Sequence, residues 1–79
     1  MNSIIRTWYY ERVYQGDYYV VQHVTFKDVI EYFTEFREVL DYLNHSVITG
    51  DKVSEYQLKQ AIQKGIILQG YKVYRNKKG

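Results

Sequence analysis

The side chains best suited to chemistry lie in the last third of this 79-residue chain. Residues 56–79 hold six cations, Lys59, Lys64, Lys72, Arg75, Lys77 and Lys78, and no acid. Residues 1–55 hold nine acids against five cations. A polyanion is therefore attracted to one end of the chain and repelled by the other. On a helical wheel Tyr56, Lys59, Gln60 and Gln63 share the side opposite Leu58, Ala61 and Ile62. Glutamine can bond adenine bidentately, lysine can donate to guanine, and tyrosine can reach a phosphate. Lys64, Lys72, Arg75, Lys77 and Lys78 would add backbone contacts that carry no sequence information. The chemistry expected is DNA binding, with helix 55–64 in the major groove. The plainer reading of the same residues is a wet helix face and a solubilising tail.

A second group suits a protein surface. Tyr10, Arg12, Tyr14 and Tyr19, with Trp8 nearby, have the composition of an interface hot spot. Asp28, Glu31, Glu35 and Glu38 would line one face of a helix and dock on a basic partner. The alternative function is thus a small phage-like inhibitor or adaptor of a host protein, and a homodimer through the N-terminal segment is a third reading. Protein binding would survive loss of Lys59, Lys72 and Arg75. DNA binding would not, and would fall steeply with salt.

Catalysis is not expected, because the carboxylates sit on an amphipathic face and no nucleophile has a positioned base. No cofactor is expected either. Lys64-Gly65 lacks the glycines of a phosphate loop. Cysteine is absent, and His23 and His45 are 22 positions apart, so no local metal-ligand set exists. No run of 18 apolar residues could cross a membrane. Arg6, Glu11 and Arg12 interrupt any leader-like apolar stretch, so a cytoplasmic chain is expected.

These residues need elements to position them. The length predicts one domain, 1–79, with a marginal core that ten tyrosines, three phenylalanines and one tryptophan must fill. The class predicted is α+β. Residues 4–24 read as an antiparallel β-hairpin turning at Gly16-Asp17, with Val13 opposite Val20 and Tyr10 opposite His23. Residues 26–44 read as an amphipathic helix on Phe26, Val29, Ile30, Phe33, Phe36, Leu40 and Leu43. Thr34 offers the alternative of a break near Phe33 and a second start. Residues 45–53 read as a loop anchored by Val47, Ile48 and Val53, turning at Gly50-Asp51. Ser54 and Gln57 form a capping box for a helix over 55–64, with Gly65 as its C-cap. Residues 66–75 read as a short hairpin or bent strand around Gln69-Gly70, followed by a basic tail, 76–79.

From Phe33 to Arg75 the chain resembles the small helix-turn-helix repeat that accompanies homing and phage-type endonucleases. Phe33-Thr34 and Glu38-Val39-Leu40-Asp41-Tyr42-Leu43 carry the first half of the match. Ser54, Leu58, Ala61-Ile62, Lys64-Gly65 and Gly70-Tyr71-Lys72-Val73 carry the second. The resemblance implies a winged helix-turn-helix-like arrangement that binds DNA through helix 55–64 and the strand after it. It also favours the break near Phe33. The Val47–Val53 linker is longer than the tight turn of such modules, and Val39-Leu40 replaces an alanine-rich helix. The N-terminal segment lies outside the match, and no attached nuclease domain is expected from these residues. A free-standing copy would act as a transcription regulator or accessory protein.

Overall fold

The computed structural model describes residues 3–45 and 52–77. The predicted Gly50-Asp51 turn, the anchors Val47 and Ile48, and Lys78 fall outside them. An N-terminal helix, α1 (Ser3–Trp8), widens into a π-helical turn over Tyr9–Val13. Strands β1 (Tyr18–His23) and β2 (Ile30–Phe33) follow, then helices α2 (Phe36–His45) and α3 (Glu55–Lys64) and strand β3 (Tyr71–Asn76). The class is α+β, with an antiparallel sheet in the order β2-β1-β3.

Alternation along the strands builds two cores, one on each side of the sheet. Val21 and Val73 are paired, and they face Val39, Leu43, Val53 and Leu58 from α2, α3 and the connection between them. Val20 and Tyr32 are paired on the other face, where Tyr18, Tyr10 and Tyr14 complete a cluster of aromatic rings. The N-terminal helix covers that face. Tyr10 stacks on Tyr32 at 5.2 Å and 11°, and the Tyr32 hydroxyl donates to Thr7 Oγ1 at 2.8 Å. Arg6 donates to the Tyr32 carbonyl and pairs with Glu31, so it closes the outer edge of β2.

Two predicted elements differ. Residues 4–13 are helix, not strand, and Tyr14 closes the helix in an extended conformation. The reason is topological: β1 has two edges, and β2 and β3 occupy both. The segment lies across the sheet instead, where Thr7, Tyr10 and Tyr14, spaced three and four apart, reach the tyrosine cluster. The pairings of Val13 with Val20 and Tyr10 with His23 therefore do not exist; Val20 faces Tyr32 and Tyr74, and His23 faces Tyr71. Residues 26–44 are not one helix either. The true hairpin joins β1 to β2 through a turn in which the His23 ring nitrogen Nδ1 accepts from the Thr25 and Phe26 amides. Phe26 and Val29, counted as apolar-stripe positions, are exposed. Ile30-Glu31-Tyr32-Phe33 is β-branched and aromatic, and pairing with β1 overrides its helical spacing.

The alternative, a helix broken near Phe33 with a second start at Thr34, holds only for its second half: a helix does start close by, at Phe36, but the residues before it are turn and strand. α2 starts at Phe36, and Glu38 rather than Thr34 supplies the start signal, because its carboxylate accepts the Glu35 amide at 3.2 Å. Phe36, Val39, Leu40 and Leu43 then form its core face. Asn44 latches the end of α2 to the start of the next segment: Oδ1 accepts from the Val53 amide at 2.7 Å and Nδ2 donates to the Val53 carbonyl at 3.0 Å.

The turn into β3 is a two-residue loop. Leu68 and Tyr71 exchange both main-chain bonds, and Gln69 and Gly70 both have positive φ, 55° and 83°. Gly70 also abuts His23, whose Nε2 would lie 3.3 Å from an added Cβ. Gly70→Ala is therefore expected to destabilise the chain by about 1 kcal/mol or more. The measurement is the urea midpoint at constant m-value. An unchanged midpoint would mean that the loop does not hold these dihedrals.

Candidate nucleic-acid interface

Local hydrogen bonds fix the two ends of α3, and its buried residues fix its rotational phase. Ser54 Oγ accepts from the Gln57 amide at 3.2 Å, and Gln57 Oε1 accepts from the Ser54 amide at 2.9 Å. Gly65, at φ 72°, ends the helix and donates to the Ala61 carbonyl. With Leu58 and Ala61 fully buried, the opposite side must face solvent. Tyr56 is 71% exposed, Lys59, Gln63 and Lys64 are exposed, and Gln60 is half-buried.

Lys59 and Gln63 meet Arg75 of β3 at an open cleft of about 250 Å³ whose apolar lining is Tyr19, Phe36 and Ile62. Arg75 is held in place from two sides. Its Nη2 lies 3.0 Å from Asp17 Oδ2, and its guanidinium carbon lies 5.8 Å from the Tyr19 ring centre. Tyr19 meets Phe36 edge to face at 6.3 Å and 69°. The cleft thus presents cations at its rim and aromatic surface at its floor.

The register of β3 divides the predicted phosphate contacts. Arg75 and Val73 pair with Tyr19 and Val21 on the face that carries α3. Lys72 pairs with Gln22, one position out of phase, and so belongs to the opposite face. Lys77 is exposed just beyond the strand. Lys59, Gln63 and Arg75 are therefore brought together, Tyr56 and Lys64 lie farther along α3, and Lys72 is separated from them by the sheet.

The protein-docking set is also redistributed. Tyr10 and Tyr14 are half-buried in the tyrosine cluster, Tyr19 lines the cleft, and Arg12 is exposed on the π-helical turn. Asp28 lies in the β1–β2 turn, Glu31 on β2 against Arg6, Glu35 before α2 and Glu38 in its first turn. These four acids do not share a helix face, because no helix runs through residues 28–35. The N-terminal helix instead exposes Ile4, Ile5 and Trp8, the last at 58%.

Burial raises three phenols. Tyr42, between Phe33 and Tyr71, is pushed up to about 12 by burial and then by its hydroxyl contact with Tyr71. Tyr18 and Tyr74 are raised chiefly by burial, with Glu11 and Tyr32 adding to it. The Asn76 side chain, bonded to the Tyr18 hydroxyl at 2.7 Å, opposes the shift there. Tyr18 and Tyr42 act as packing groups with polar tips, while Tyr74 lies at the surface of the sheet.

Phe36, Ile62 and Asp17 were not among the predicted site residues. Asp17 is 58 positions from Arg75, and no local pattern announces a pair so distant. Among the described residues no group of three or more His, Asp or Glu is placed to hold a metal, and no helix is long and apolar enough to cross a membrane. Compared with protein-family models, curated proteins and solved structures, the chain matches none of them.

Proposed function

We propose that the chain is a small DNA-binding regulator or accessory protein that meets DNA with α3 and the cleft beside it. The observation that carries this reading is the meeting of Lys59, Gln63 and Arg75 beside a capped helix whose outer side is open. In this reading Tyr56 and Gln63 approach base edges and Lys59 and Arg75 take phosphates. α2 and α3 act as the helix pair of a winged helix-turn-helix, and residues 68–76 as its wing. Lys72 contributes only through its long-range field, since it lies across the sheet from Arg75.

The test is a titration of labelled random-sequence duplex at two salt concentrations. Binding is expected to weaken steeply with salt, and the double variant Lys59→Ala, Arg75→Ala to flatten the log–log salt slope by about 2. The Asp17 pair lost with Arg75 is solvent-exposed, so folding should be little affected. Failure to bind any duplex at low salt would overturn the proposal.

A second reading rests on the exposed Ile4, Ile5 and Trp8, which with Arg12 offer a protein partner an apolar strip beside a cation. A host-protein partner seated there would tolerate the Lys59 and Arg75 changes and be lost on Trp8→Ala.

A further inference from the structure

We infer that the cleft between α3, β3 and the start of α2 takes an unpaired DNA base, so that the chain prefers DNA with an unstacked nucleotide to fully paired duplex. The inference rests on the DNA-binding reading and adds to it the kind of DNA bound.

A paired duplex offers a protein phosphates, sugars and base edges, but its base faces are covered by stacking. Phosphate binding alone needs only the cations. This cleft places Lys59 and Arg75 around an apolar floor of Tyr19, Phe36 and Ile62, a floor that duplex phosphates would leave unused. A cationic rim over aromatic surface is the chemistry that holds single-stranded nucleic acid, where bases stack on rings and on guanidinium planes.

The rings divide the work. Arg75 already lies over Tyr19, which in turn meets Phe36 edge to face. Phe36 is half-buried at the first position of α2 and meets no other ring among the described aromatic pairs. It both packs against the core and lines the cleft, so a base entering the cleft meets it beside the edge of Tyr19. Gln63 at the rim carries both a donor and an acceptor for the polar edge of that base. Lys59 and Arg75 then meet the flanking phosphates. Asp17 pairs with Arg75 at 3.0 Å in the absence of DNA.

Three short duplexes of one sequence provide the test: fully paired, carrying one bulged thymidine, and carrying an abasic residue at the bulge. Affinities are measured by fluorescence anisotropy at low salt with the native chain. The thymidine bulge is expected to bind roughly 5-fold to 150-fold more tightly than the abasic bulge, the span of one base–aromatic stack. Phe36→Leu keeps apolar volume against the core and should bring that ratio close to one. Equal binding of thymidine and abasic bulges, with salt-dependent duplex binding retained, would overturn the cleft proposal alone. A ratio unchanged by Phe36→Leu would overturn the assignment of the base to this cleft. Absence of binding to all three would overturn the DNA-binding reading itself.

Discussion

Replacing Leu58 with alanine is expected to lower the unfolding free energy by about 3 kcal/mol, within the usual span for a buried leucine. Leu58 is 0% exposed and sits where α3 meets the sheet, in one cluster with Val21, Val39, Leu43 and Val73. Those neighbours belong to two strands and a second helix, so the cavity cannot close by moving a single element. A domain this small has only about 5 kcal/mol or somewhat more to lose. The thermal midpoint should fall by roughly 12 °C or more. Leu58→Met keeps most of the volume and should cost under about 1.5 kcal/mol. Urea unfolding of both variants decides the matter. A Leu58→Ala loss as small as that of the methionine variant would mean that α3 is not seated on the sheet as described. The same experiment bears on function, because the seat of Leu58 is what turns Lys59 and Gln63 toward the cleft.

Tyr32→Ala is expected to cost about 3 kcal/mol as well, but with a different local signature. Tyr32 is 3% exposed, stacks on Tyr10, meets Tyr18 at 5.8 Å and donates to Thr7. It is the point where the N-terminal helix is fastened to the sheet. Its removal should release residues 3–13 before the remainder of the fold. Hydrogen exchange is the appropriate readout: amides of the N-terminal helix should lose protection while those of α3 and β3 keep most of theirs. Tyr32→Phe retains the stack and loses one hydroxyl bond, so about 1 kcal/mol is expected. Uniform loss of protection across all elements in Tyr32→Ala would contradict a separately fastened layer.

What proved legible in the chain was local. The Ser54–Gln57 box, the Gly65 stop and the Leu58–Ala61–Ile62 face specify α3 within a dozen residues, since each bond closes three or four positions away. A helix start just after Phe33 was readable for a similar reason, although Glu38 rather than Thr34 carries the start signal and the residues before it are a strand, not a first helix. Gln69-Gly70 is a two-residue turn with positive φ at both positions, and Gly tolerates that region without strain.

The errors lay where pairing partners are distant. Ile30–Phe33 has spacing compatible with a helix, and only the free edge of β1 makes it a strand. Residues 4–14 have strand-like composition, but β2 and β3 occupy both edges of β1, and residues 4–13 lie across the sheet as helix. Neither fact is present in a local window.

The same division holds for the interface. The charge asymmetry was a property of the sequence by itself: six cations and no acid in residues 56–79, whatever the fold. Likewise the capping signals and the Leu58–Ala61–Ile62 spacing determined that α3 would have one apolar side and one outward side. Which cations could act together was a matter for the tertiary structure. A strand turns successive side chains to opposite faces, so the register of β3 against β1 sends Arg75 to the cleft and Lys72 away from it. Asp17, Tyr19 and Phe36 join Arg75 only because the chain returns through two helices to lay its last strand along its first.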